Sequence, residues 1–169
     1  VTAAVLADCG HKVHLINPFK LSGAGGSIEI NPPPIPVHEP GLQEMMDRNY
    51  TSKNLSFFGA MPEQISTDFI WLAVDTPIND RDEPLLEPLL VIADQILKAK
   101  AKCKTLVVNS QVPLGFCEEL EKRTGLSVAY VPENLRLGKG IETFFRADRT
   151  VIGSNDSATA DSVKNLMSS

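Results

Sequence analysis

The run Phe69-Ile70-Trp71-Leu72-Ala73-Val74 constrains this chain more than any other feature. Six apolar residues in a row, without alternation, suit a β-strand covered by helices on both faces. Strands of that kind are parallel, and parallel neighbours need long crossovers, usually helical. The following residues supply them. Pro88 fits the first position of a helix, after which Leu89, Ile92, Ala93, Ile96 and Leu97 recur at the spacing of one buried helical face. Thr105-Leu106-Val107-Val108 reads as the next strand and residues 115–124 as a helix stopped by Gly125. Leu126 to Val131 and Arg149-Thr150-Val151-Ile152 read as two more strands, and Ser157 to Met167 as a last helix.

The first third of the chain alternates in the same way, more weakly. Val1 to Asp8 is small and apolar, helix-like, with no Ser, Thr, Asp or Asn before it as a cap. Gly10 suits the left-handed residue that closes such a helix, and Lys12 to Ile16 a short strand. This is the second half of a βαβ unit, so a preceding strand is expected to be missing. Residues 17–37 read as irregular, because Gly23, Gly25 and Gly26 cluster and Pro32, Pro33, Pro34 and Pro36 force extended backbone. Pro40-Gly41 marks a turn, and Leu42 to Tyr50 a helix with Leu42, Met45 and Met46 inward. Asn54 to Gly59 reads as a strand and residues 60–67 as one or two helical turns. The expected fold class is α/β with a largely parallel sheet.

Composition removes several functions. At 169 residues with 43% hydrophobic and 22% charged residues, the chain can bury a core and is not disordered. It has no run of roughly 20 apolar residues, so a helical membrane protein is not expected. Sixteen Lys and Arg against 21 Asp and Glu give a net charge of −5, a poor basis for holding nucleic acid. Cys9, Cys103 and Cys117 are far apart, and neither they nor His11, His14 and His38 form a spacing for zinc or a triad. Neither a metal site nor a disulfide framework is expected; three reduced thiols suit a cytoplasmic protein. The N-terminus lacks the basic start and apolar core of a secretory signal. Gly23-Ala24-Gly25-Gly26 does not join a strand to a helix, as a phosphate loop must.

Open parallel sheets bind ligands outside the carboxyl ends of their strands. Three strands end in polar segments there: Val74-Asp75-Thr76-Pro77, Asn109-Ser110-Gln111-Val112-Pro113 and Val131-Pro132-Glu133-Asn134. Each contains a proline where the chain leaves the sheet, and side chains that either shape the turn or bond a ligand. Glu133 can hold a water, act as a general base, bind a sugar hydroxyl or form a surface salt bridge.

These motifs, in order, resemble the N-terminal domain of the UDP-glucose/GDP-mannose dehydrogenase family. The matching segments are Val1 to Ala7 with Gly10-His11-Lys12-Val13, Glu39-Pro40-Gly41-Leu42, Val74-Asp75-Thr76-Pro77, Ser110 to Gly115, Pro132 to Gly138, and Asp148 to Gly153. The resemblance implies a Rossmann-like, doubly wound domain over residues 1–169, lacking its first strand and glycine-rich turn. On this resemblance the central and C-terminal substrate domains are expected to lie outside these 169 residues. It implies NAD as cofactor, and oxidation of the C6 alcohol of a UDP- or GDP-sugar to the uronic acid through a cysteine-bound intermediate. Lys20 matches a lysine near the adenosine end of NAD, and Thr76 a threonine beside the cofactor. Gln111, where threonine is common, and Leu137, where a second glutamate is common, complete the cofactor-binding set. Glu133 matches the glutamate that handles the catalytic water. Glu133, Asn134, Leu135, Arg136 and Leu137 match the loop along the sugar substrate.

The family's acidic ribose ligand falls at Leu15 or Asn17, neither of them acidic, and none of the three cysteines stands where the nucleophile does. The chain alone is expected to be inactive, and its full-length parent a cytoplasmic homo-oligomer. The alternative is a degenerate Rossmann domain acting as a non-catalytic binding or structural module. Glu39-Pro40-Gly41-Leu42 and the Glu133 loop speak against the wider 2-hydroxyacid and 6-phosphogluconate dehydrogenases.

Overall fold

The computed structural model describes residues 1–16 and 38–168, and residues 29–30 by their backbone. Asn17, Lys20, the glycines at 23–26 and the prolines at 32–36 lie outside the described residues. The elements run α1 (Thr2–Asp8), β1 (Val13–Ile16), β2 (Glu29–Ile30), α2 (Leu42–Thr51), β3 (Leu55–Phe58), β4 (Phe69–Leu72), α3 (Glu87–Lys98), β5 (Thr105–Val108), α4 (Phe116–Thr124), β6 (Val128–Tyr130), α5 (Gly140–Phe145), β7 (Gly153–Ser154) and α6 (Ser157–Met167). The architecture is α/β with mostly parallel strands. The chain divides into two compact units, Val1–Pro62 with Asn134–Arg149 and Glu63–Glu133 with Thr150–Ser169. Among the described residues no helix is long and apolar enough to cross a membrane.

In the first unit β3 lies between β1, parallel to it, and β2, antiparallel. Ala4, Val5 and Ala7 of α1 bury against Leu42, Met45 and Met46 of α2 and Leu55 and Phe57 of β3. The α1 helix ends in a Schellman turn: Gly10 N–H bonds to Ala7 O at 3.0 Å and His11 N–H to Leu6 O at 3.1 Å. Gly10 has φ +96°, which a side chain would oppose.

Outside the apolar contact, α1 and α2 are tied by charge. Arg48 grips Asp8 with two bonds, at 2.7 and 2.6 Å, and Asn49 Nδ2 adds a third at 2.9 Å. The Arg48 guanidinium holds the Asp8 carboxyl below its ordinary value of 3.8, with Asn49 helping against the cost of burial. A carboxyl depressed by folding adds stability above its unfolded pKa, and that stability is lost as pH falls through the folded value. Asp8→Asn is therefore expected to flatten the acid limb of a plot of urea stability against pH, below about pH 4. An acid limb identical to the wild type would remove Asp8 from the pH dependence.

In the second unit the order is β4-β5-β6-β7, with the first three parallel and β7 antiparallel. Val107, Ala129 and Val131 face Val163 of α6. Side chains alternate along a strand, so Leu106, Val108 and Val128 point to the opposite face, where α4 packs on β6 and α3 on α4. All four residues of β5 are buried in consequence.

Four sequence expectations need correction. The strand most buried on both faces is β5, not β4: only Leu72 of β4 is buried, because β4 ends its sheet. Leu97 is 41% exposed, lying past the buried arc of Leu89, Ile92, Ala93 and Ile96. Residues 60–67 form no helix. Their backbone is committed to a parallel bridge between Ser66 and Lys102, with Ile65 N–H on Ala99 O and Thr67 N–H on Lys102 O. The last strand is Gly153–Ser154 rather than 149–152, and Ser154 Oγ donates to Val128 O at 3.0 Å to hold it there.

Candidate functional site

The register of the second unit places Leu72, Val108 and Tyr130 in one row. The segments after them therefore emerge along one carboxyl edge. Two side chains knit that edge. Asn109 N–H bonds to Leu72 O at 2.9 Å, and Asn109 Nδ2 donates to Val131 O at 2.7 Å. Ser110 Oγ accepts from Val74 N–H at 3.1 Å and donates to Leu72 O at 3.4 Å. Both residues are buried, so their polar groups hold β4, β5 and β6 in register rather than facing a ligand.

Thr76, Gln111 and Glu133 share this edge. Gln111 and Glu133 are exposed. Thr76 is half-buried, yet its Oγ1 is fully buried and has no hydrogen-bond partner among the described residues. Trp71 Nε1 and Gln95 Oε1 are also unpartnered, but they lie within β4 and α3 rather than at the edge. A buried hydroxyl without a partner is costly, and of these three atoms only Thr76 Oγ1 lies at the carboxyl edge of the strands.

The remaining site residues are distributed differently. Asn134, Leu135, Arg136 and Leu137 belong to the first unit, where Asn134, Arg136 and Leu137 are exposed, Leu137 to 87%. Lys20 lies outside the described residues. Leu15 packs against the first unit's core, so its side chain serves packing. Cys9, Cys103 and Cys117 are free and half-buried. Burial pushes the Cys103 thiol up; burial and then Glu121 push the Cys117 thiol up. Neither is activated as a thiolate.

One functional candidate escaped the sequence reading. Glu39 Oε1 accepts from Ile141 N–H at 3.0 Å, across 102 residues of sequence. That bond, with the N–H groups of Gly140 and Gly138, holds the Glu39 carboxyl below the usual carboxylate range. Pro40-Gly41 advertises only a turn, and no local spacing links residue 39 to residue 141.

The NAD-binding domain model of the UDP-glucose/GDP-mannose dehydrogenase family matches residues 1–169. The UDP-glucose 6-dehydrogenase YwqF of Bacillus subtilis (strain 168) is 32% identical, over 98% of this chain and 39% of that protein. A UDP-glucose 6-dehydrogenase of Pseudomonas aeruginosa is 28% identical over 98% of this chain and 38% of its own length. The solved UDP-glucose dehydrogenase of Pyrobaculum islandicum superposes with a TM-score of 0.79 at 29% identity, covering 99% of this chain and 41% of that one. The chain thus spans about two fifths of the length of these relatives.

Proposed function

The chain belongs to the UDP-glucose/GDP-mannose dehydrogenase family, and from that membership we propose that it is the NAD-binding part of a nucleotide-sugar 6-dehydrogenase. The reaction is oxidation of the C6 alcohol of a UDP- or GDP-sugar to the uronic acid. The observation that carries this reading is Thr76 Oγ1, buried without a partner on the same strand edge as Gln111 and Glu133. That orphaned hydroxyl fits a bound dinucleotide. NAD, when bound, accepts the hydride removed from the alcohol carbon.

The roles divide by chemistry. The family resemblance assigns Thr76, Gln111, Leu137 and Lys20 to the cofactor, Lys20 at its adenosine end. Turning an alcohol into a carboxylate removes four electrons and adds one oxygen from water, so two NAD are used in succession. The water needs a base. Glu133, an exposed carboxylate at the edge, takes its proton. Asn134, Leu135, Arg136 and Leu137 lie along the sugar. The domain extends over residues 1–169 and is inactive alone; the full-length protein is a cytoplasmic homo-oligomer.

Titration calorimetry with NAD, together with NADH absorbance in the presence of UDP-glucose or GDP-mannose, tests this on the chain and on the full-length product of its gene. The full-length protein is expected to bind NAD and release two NADH per sugar, and the 169-residue chain to release none. Absence of NAD binding by both would replace the proposal with a non-catalytic module.

A further inference from the structure

We infer that Glu39 is a positioning residue for the proposed dehydrogenase: its carboxylate clamps the backbone at 138–141 and thereby sets the path of the segment 134–137. The inference rests on reading that segment as the substrate loop. Asn134 to Arg136 has no regular secondary structure, and the chain then reverses at Gly138, which has φ +75°. Lys139 N–H closes the reversal on Arg136 O at 2.9 Å. The helix α5 begins at Gly140 with no side-chain cap from its own N-cap residue, Lys139. The first N–H groups of a helix need outside acceptors, and Glu39 supplies one from a distant part of the sequence.

Both sides of the clamp are rigid. Glu39 is held by Leu42 N–H on its carbonyl at 3.1 Å, and Leu42 is buried in the first unit's core. Ile141 and Phe144 pack on the same core. Gly140 lies close between them: a Cβ there would be 3.2 Å from Val1 Cγ2 and 3.3 Å from Glu39 Oε2, tighter than ordinary contact. The segment 134–137, without regular secondary structure of its own, runs directly into that end, so the clamp bears on its course. The charge also matters, since a carboxylate accepts from several N–H groups at once and a carboxamide presents only one acceptor oxygen.

Hydrogen exchange read by NMR tests the clamp without any cofactor. In Glu39→Gln and Glu39→Ala the amides of Gly138, Gly140 and Ile141 are expected to exchange roughly tenfold or more faster, with α2 and β3 unchanged. In the wild type, after correction for intrinsic rates, the same amides should lose protection as pH falls through the Glu39 titration, and Glu39→Gln should lack that dependence. The other titratable side chains near Glu39 are His38, which precedes it in sequence, and Lys139, Glu142 and Arg146, the last two paired at 3.5 Å. Unchanged protection, or equal loss throughout α2 and β3, would overturn the clamp; if the variants fail to fold, the wild-type titration decides. In the full-length dehydrogenase, Glu39→Gln should raise KM for the nucleotide sugar roughly tenfold and leave kcat and the KM for NAD within about twofold. An unchanged sugar KM would end the positioning role. A wild type without activity would sink the dehydrogenase reading and the substrate role with it, while the exchange data still decide the clamp.

Discussion

Glu133→Gln is expected to slow turnover of the proposed dehydrogenase roughly 10²–10⁴-fold while leaving NAD affinity within about threefold. The substitution keeps the shape of the side chain and removes its basicity. Under the proposed roles the step that adds water would lack a proton acceptor, whereas the cofactor residues Thr76 and Gln111 would be untouched. Glu133 is exposed, so the fold should tolerate the change, with stability altered by no more than about 0.5 kcal/mol. Steady-state kinetics on the full-length protein, beside calorimetry with NAD, checks both parts. Unchanged turnover would remove Glu133 from the mechanism, and a matching collapse of NAD affinity would make it a cofactor ligand.

Leu106→Ala is expected to destabilise the second unit by about 2–5 kcal/mol. Leu106 is fully buried in β5, between β4 and β6. Its removal leaves a cavity that flanking strands cannot close without breaking the register at Leu72, Val108 and Tyr130. Total stability for a chain of this size is of the order of 5–15 kcal/mol, so the variant stands close to unfolding. Leu114→Ala is the control, because Leu114 is fully exposed; a change within about 0.5 kcal/mol is expected there. Urea melts of both variants measure the difference. A loss below about 1 kcal/mol for Leu106 would mean that the strand relaxes into the space.

The elements read best from sequence were those whose signal is local. The strand at Thr105–Val108 and the helix at Ser157–Met167 appear where the apolar run and the helical spacing put them. The α2 face of Leu42, Met45 and Met46 is buried as its spacing requires. The three polar strand ends were legible as one edge, because parallel strands with crossover helices point the same way.

What the sequence hid depends on partners distant along the chain. Residues 60–67 read as helical from sequence, but the N–H groups of Ile65 and Thr67 and the C=O of Ile65 bond to Ala99 and Lys102. The sequence leaves open whether Asn109 and Ser110 shape the turn or bond a ligand; they bond the neighbouring strands, which only the register decides.

By itself, then, the sequence determined the alternation of strands and helices, the edge bearing Thr76, Gln111 and Glu133, and the family resemblance. Those follow from periodicity and from motifs a few residues long. Tertiary structure alone decided which edge groups are spent within the fold, that Thr76 Oγ1 is left unpaired, and that Glu39 reaches Ile141. A hydrogen bond is set by where two groups meet in space, and residues 102 apart meet only after the chain has folded.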